Sequence, residues 1–468
     1  MTRELLHENS SGLVRGLTGV LLATIAAIGL MALLFESGFS NISTASFVCL
    51  LATPWLIVLL FHMGGGSLTQ VLLSPTGLML VFVWSSILIV PILWATGLAN
   101  PWFDFPLGEL NLVVVSAALS SMVLTVGVLL GLRRSRAPVA LAAPGGGLRR
   151  ASWVAFLCVL GAALWVSSRT GGISYLLGNL LSKRELLAGL GPATALAAVG
   201  GIAGLTVPSV YTADRSTRVA GNMCAIAYLG YLFVMGSRFP MIAYALALLV
   251  ARSARAQVPR RALALVLVAI IPFSVWYSVS VRGGQQLESG RAGTRSASTL
   301  IDPFVYGGLD ILHSQGAVAV ADLPDWRFSP DLILGQLTTV IPRSILPGKR
   351  PGMSTVFSEV FFPVSWSNGS GVPPALTAEL AFTWGVVGGL GVLAIVGFLL
   401  ARGASLMGSS RHLAVRLIYP FFTVDCIVLA KSGSDAFLQQ FTLQLGGTLL
   451  FLAITHLTGA KLRAIQDE

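Results

Sequence analysis

The chain reads as a succession of apolar stretches, many close to 20 residues long, separated by polar breaks. A helix of that length crosses a hydrocarbon core of about 30 Å. It also satisfies its own backbone hydrogen bonds, as any segment in lipid must. The pattern predicts spans at 13–35, 45–62, 76–97, 110–132, 151–168, 193–211, 219–236, 239–251, 262–280, 376–401, 413–432 and 437–458. The expectation is an all-α polytopic membrane protein of about 12 transmembrane helices. No small-residue cleavage site follows the first stretch, which is read as a retained span. The division is residues 1–281 with spans one to nine, a long external loop over 282–375, and residues 376–468 with the last three spans.

Loops of this length without a function are uncommon, and the long one carries a pattern of its own. Residues 282–299 are polar and Gly/Ser-rich. Residues 302–320 have a helical apolar period, with Pro303 suited to a first turn. Ser329-Pro330-Asp331 is a helix start, predicting a helix to about residue 340. The segment 342–351 is basic and broken by prolines. MSTVFSEVFFP, which follows, is amphipathic enough to lie along a membrane surface. A shorter external segment spans 168–192. No repeats and no halves of matching hydropathy are evident, so inverted-repeat transporter symmetry is not expected.

Composition agrees with a lipid environment: 55% of residues are hydrophobic and 10% charged, where a soluble domain carries roughly 25% charge. The four cysteines, Cys49, Cys158, Cys224 and Cys426, all fall in apolar stretches and are read as small core residues. The net charge of +11 would invite a nucleic-acid partner, but its distribution gives another meaning. Of the 30 Lys and Arg, 18 fall on the side that the twelve-span topology assigns to both termini, with five acids, a balance of +13. The other side holds 12 basic and 13 acidic residues. Lys/Arg excess marks cytoplasmic loops, so both termini are expected in the cytoplasm and no nucleic-acid partner is implied.

Orientation places a set of cations outside, where they are less expected. Arg238 sits in MGSRFP between two spans, Arg282 follows the ninth span, and Arg343, Lys349 and Arg350 cluster in the proline-rich segment. Arg169, Lys183 and Arg184 lie in the shorter external segment. Guanidinium groups present a planar fork suited to phosphate oxygens, so the set points to an anionic, membrane-held ligand such as a lipid diphosphate. Pairing with nearby acids or snorkelling to headgroups is the plainer alternative. Two residues could accept a proton. Glu379, in ALTAELAFTWG, lies about one turn into a predicted span, either as a base or as a favourable first-turn charge. His313, in DILHSQG, is the second candidate. Asp302 and Asp310 are weaker candidates. Asp425 is expected to pair with Lys431. No Walker motif appears, and no HExxH or Cys/His spacing predicts a metal site, so no cofactor is expected.

Taken together, RTGGISYLLGNLLSKRE, GSRFP, VRGG, TTVIPRSILPGKRPG and GSGVPPALTAELAFTWGVVGG, in this order along the hydropathy profile, resemble the O-antigen polymerase (Wzy-type) family over most of the chain. The resemblance implies a metal-independent, GT-C-like membrane glycosyltransferase. Such an enzyme joins undecaprenyl-diphosphate-linked oligosaccharide repeat units at the external face of the bacterial inner membrane, with membrane lipid and, optionally, a polysaccharide chain-length regulator as partners. On this reading the external cations stabilise the diphosphate, and Glu379 before His313 assists the acceptor hydroxyl. The polymer would be lipopolysaccharide, capsule or a secreted polysaccharide. Three alternatives stay open, one of them a scaffold for an envelope assembly complex, which would leave the external arginines without a role. An O-antigen ligase carries an external His followed by a Gly-containing stretch, a spacing that His313-Ser314 does not match. A flippase or transporter favours charges at the bilayer midplane, whereas here they gather on one face.

Overall fold

The computed structural model describes residues 74–95, 107–132, 141–142, 147–178, 186–187, 189–210, 214–236, 238–253, 311–321, 323–341, 345–367, 372–410, 412–459 and 463–464. These residues are helical apart from loops and one two-residue antiparallel pairing. In chain order they form α1 (Pro75–Ala95), α2 (Leu107–Gly131), β1 (Leu141–Ala142), α3 (Gly147–Thr170), α4 (Ile173–Gly178), α5 (Gly191–Ser209), α6 (Arg215–Val234), α7 (Arg238–Ser253), α8 (Leu312–Val320), α9 (Pro330–Thr338), α10 (Met353–Phe361), α11 (Pro363–Ser367), α12 (Leu376–Trp384), α13 (Val386–Ser409), α14 (Leu413–Leu457) and β2 (Arg463–Ala464). Among the described residues, five helices are long and apolar enough to cross a membrane: α2, α3, α5, α13 and α14. The protein is a helical membrane protein.

At 45 residues and 1.5 Å per residue, α14 would run about 67 Å if straight, twice what a bilayer requires. It instead folds back at Gly433, whose φ of 74° and ψ of −173° lie in a region that is essentially restricted to glycine. The two limbs, 413–432 and 434–457, match the two predicted spans. They lie side by side: a Cβ built on Gly201 of α5 would touch Phe421 of the first limb, and one built on Gly447 of the second would touch Ala198, three residues back on the same helix.

The first limb is the centre of the bundle. Leu417, Phe421, Val424 and Val428 pack with α3, α5, α6 and α7. Phe422, Cys426, Leu429 and Ala430, on the other face, pack with α1, α2, α8, α12 and α13. Lipid tails compete for apolar surface as well as leucine does, so association rests on close van der Waals fit and small residues at the contacts. Gly127 of α2 shows this: a Cβ there would come within 2.1 Å of the Ala394 carbonyl oxygen on α13. Leu130, Leu157, Leu164 and Leu399 remain exposed, as lipid-facing positions should. Cys158, Cys224 and Cys426 are free thiols, the latter two buried.

The two ends of the bundle differ. At one, β1 pairs with β2, Thr458 Oγ1 donates to the Gly147 carbonyl at 3.4 Å, and Arg416 Nη1 donates to the Gly408 carbonyl at 2.5 Å. The other end, about 36 Å away along the second limb, carries the Gly433 turn beneath helices α8 to α12. The predicted loop helices are present as α9 and α10, and 312–320 of the predicted 302–320 helix is present as α8. Rather than lying free on a surface, α10 buries Met353 and Phe357, with Phe357 meeting Phe382 edge-on at 5.8 Å.

The predicted span 376–401 needs correction. It breaks at Gly385 (φ 76°, ψ 177°) into the nine-residue α12 and the membrane-length α13. The orphan N–H groups that open α13 are taken by a loop: Val386 N donates to the Pro324 carbonyl at 3.3 Å and Val387 N to the Asp325 carbonyl at 3.0 Å. A second correction concerns Asp425. It is fully buried, with the Gln444 amide beside it, and the expected pairing with Lys431 does not form. The Lys431 ammonium lies 4.4 Å from the centre of the Phe239 ring instead, a cation–π contact.

Candidate functional site

Three helix ends gather near the Gly433 turn, and a charged side chain holds each of them. Glu379, in the first turn of α12, is 1% exposed. Its Oε2 accepts from Ser434 N at 2.7 Å; its Oε1 accepts from Gln336 Nε2 at 2.5 Å and, in a short contact, from Ser434 Oγ. The carboxyl therefore sits at the N-terminus of the second limb, where helix N–H groups and the macrodipole favour negative charge. Gly433 makes this approach possible, since a Cβ there would meet Glu379 Oε2 at 2.1 Å. Burial pushes the Glu379 carboxyl up to about 7, against the downward pull of the Ser434 hydrogen bonds.

Two residues on, Asp435 repeats the arrangement toward the loop. Its Oδ2 accepts from Ser354 N at 2.9 Å, at the start of α10. Lys349 does the converse at the end of α9, donating to the carbonyls of Thr339 at 3.0 Å and Ile341 at 2.6 Å, with that of Thr338 at 3.5 Å. A cation is favourable at a helix C-terminus for the same electrostatic reason. Arg350 is exposed and paired with Asp331 of α9 at 2.9 Å.

Between these groups lies a cavity of about 310 Å³ lined by Thr339, Lys349, Arg350, Gly352, Ser354, Thr355, Asp435, Ala436 and Gln439. Its walls combine two cations, a carboxylate, an amide and three hydroxyls. Such a surface can hold an anion and hydroxyl groups together. Among the described residues, no three His, Cys, Asp or Glu side chains converge as metal ligands would.

The predicted site residues separate as follows. Lys349 and Arg350 line the cavity. Glu379 is one residue away from it through the Ser434 contacts, with its oxygens turned into the protein. His313, on α8, is buried, and burial pushes its imidazole down to about 3; it is neutral and is not a cavity-lining residue. Arg169 is exposed in the last turn of α3. Arg238 opens α7, its side chain lying outside the described residues, as do Arg282, Arg343 and Arg184. Asp302, Asp310 and Lys183 lie outside them too. Asp435, Gln439 and the hydroxyls of the cavity wall are not among the predicted site residues. The available signal was the SGSD run around Gly433: a glycine between two apolar stretches, followed by a serine and an acid, is a helix start.

No known protein family, curated protein or solved structure matches the chain.

Proposed function

We propose that the protein is a polysaccharide polymerase of the O-antigen polymerase (Wzy) type, a GT-C-like glycosyltransferase with about 12 spans in the bacterial inner membrane. It joins undecaprenyl-diphosphate-linked repeat units at the external face, with both termini in the cytoplasm. The observation that carries this reading is the polar cavity at the loop end of a membrane bundle, with Lys349 and Arg350 in its wall. The Lys/Arg excess that the predicted topology puts on the side of the termini supports an external cavity end under the positive-inside rule.

The chemistry suits those groups. The donor sugar is already activated, since its anomeric carbon carries a lipid diphosphate as leaving group. An acceptor hydroxyl attacks that carbon, and negative charge grows on the departing diphosphate. Fixed cations beside that charge lower the barrier, as preorganised electrostatics do generally. Arg350 can exchange its exposed Asp331 partner for a phosphate oxygen, the geometry a guanidinium serves best. The exposed apolar side chains beside the cavity segment, Leu334, Leu337 and Ile345, would rest in the lipid surface where the polyprenyl tail lies.

The test is reconstitution. Purified protein in lipid nanodiscs, given lipid-linked repeat units extracted from the producing cells, should yield a ladder of longer lipid-linked products. Translocation without elongation would support a flippase and end the polymerase reading. Transfer of glycan to a different acceptor, with no ladder, would indicate a ligase.

A further inference from the structure

A general base must keep a lone pair free within hydrogen-bond reach of the proton it takes. Glu379 is not placed to use one: it is 1% exposed, is not part of the cavity wall, and its oxygens face the Gln336 and Ser434 donors and the backbone of Gly433. Its geometry is that of a group that shapes the turn. Asp435 is different. It lines the cavity, is 5% exposed, and spends one oxygen on Ser354 N. Its other oxygen, Oδ1, makes no well-formed hydrogen bond, although the Ser354 side chain, the Met353 backbone and the Lys349 charge act on the carboxylate. A buried, unpaired carboxylate oxygen is costly, and it is relieved by a ligand that brings a donor. A sugar hydroxyl is such a donor. The Thr339, Ser354 and Thr355 hydroxyls and the Gln439 amide can both give and accept hydrogen bonds to the rest of a pyranose.

We propose that Asp435 is the base that binds and deprotonates the acceptor sugar's hydroxyl, and that the cavity is the acceptor-sugar subsite. This rests on the polymerase reading. As the acceptor oxygen forms its bond to the anomeric carbon, the bond from that carbon to the phosphate oxygen breaks. Its electron pair leaves with the lipid diphosphate, beside Lys349 and Arg350. The hydroxyl proton passes to Asp435 Oδ1. Glu379 is then a positioning residue: it fixes the turn that carries Ser434 and Asp435.

The experiment uses full-length protein in nanodiscs with lipid-linked glycan from the producing cells, and farnesyl diphosphate as a donor-headgroup probe. Asp435→Asn keeps an oxygen for Ser354 N but cannot take the proton. Elongation should fall about 10²-fold or more, while thermal stability and farnesyl diphosphate affinity stay at wild-type values. Glu379→Gln should lose thermal stability yet elongate within a few-fold of wild type per folded molecule. Asp435→Glu, which restores a carboxylate, should elongate measurably faster than Asp435→Asn. Wild-type elongation by Asp435→Asn overturns the assignment while the polymerase reading stands. So does Asp435→Glu performing no better than Asp435→Asn, or a full loss in well-folded Glu379→Gln. An inert wild-type protein overturns both.

Discussion

The Gly433 turn gives a prediction whose size can be worked from the structure. Gly433→Ala keeps the sequence almost unchanged but adds one methyl at a φ of 74°. Holding a non-glycine residue in that region costs about 1–3 kcal/mol. The methyl would also sit 2.1 Å from Glu379 Oε2 and 2.9 Å from the Pro374 carbonyl, so the carboxyl must withdraw. Withdrawal removes at least the Ser434 N–H contact, and a hydrogen bond to such a group contributes about 1.5–3 kcal/mol. The expected loss is about 3–5 kcal/mol, a large part of the 5–15 kcal/mol that usually separates folded from unfolded states. Equilibrium unfolding of nanodisc- or detergent-held protein, followed by tryptophan fluorescence, measures it. A double-mutant cycle with Glu379→Ala isolates the clash. With the carboxyl gone, the backbone strain and the close approach to the Pro374 carbonyl remain, and the cost of Gly433→Ala should shrink by about 1.5–3 kcal/mol. A Gly433→Ala protein as stable as wild type, or a cycle that is purely additive, would refute the argument that the turn is built around this carboxyl.

Further outcomes follow from the same end of the molecule. The Glu379 carboxyl titrates near 7 in the fold against an ordinary 4.5, so the folded state holds its proton more tightly than the unfolded chain does. Stability should therefore be greatest below about pH 4.5 and fall by about 3 kcal/mol on approaching pH 7, where it levels off; in Glu379→Gln that slope should vanish, as urea titrations at several pH values would show. Lys349→Met leaves the last carbonyls of α9 without their ammonium donor, and hydrogen exchange should speed up over residues 336–341 with a loss of about 1–3 kcal/mol. Arg350→Ala removes an exposed ion pair worth about 0–1 kcal/mol, so its thermal stability should match wild type; a fall in elongation with stability unchanged assigns it to the substrate, and unchanged elongation removes it from the site. Gly127→Leu has no space against the Ala394 carbonyl and should abolish the monodisperse peak in size-exclusion chromatography, whereas Gly161→Leu, with open space at its Cβ position, should not.

Periodicity and charge were enough to show a helical membrane protein, because lipid imposes a constraint that any 20-residue window reveals. They also predicted a strongly basic side and a mixed one. The start of α9 was legible in Ser329-Pro330-Asp331 because a helix start is a local matter. So was the pair of limbs at 413–432 and 437–458. What tertiary structure decided was where each polar side chain spends its hydrogen bonds. Glu379 looked like an intramembrane carboxylate because the apolar run continues past it; the break at Gly385, invisible to a hydropathy window, removes α12 from the span. Asp435, between the last two predicted spans, drew no reading, yet it lines the cavity, because Ser354 arrives from 81 positions away. Asp425 and Lys431 are close in sequence, but burial and the Phe239 ring send them to different environments. Membership in the membrane is a sum over many residues, which a sequence states directly. The roles of individual charges depend on a few contacts between distant segments, and only the folded chain brings those together.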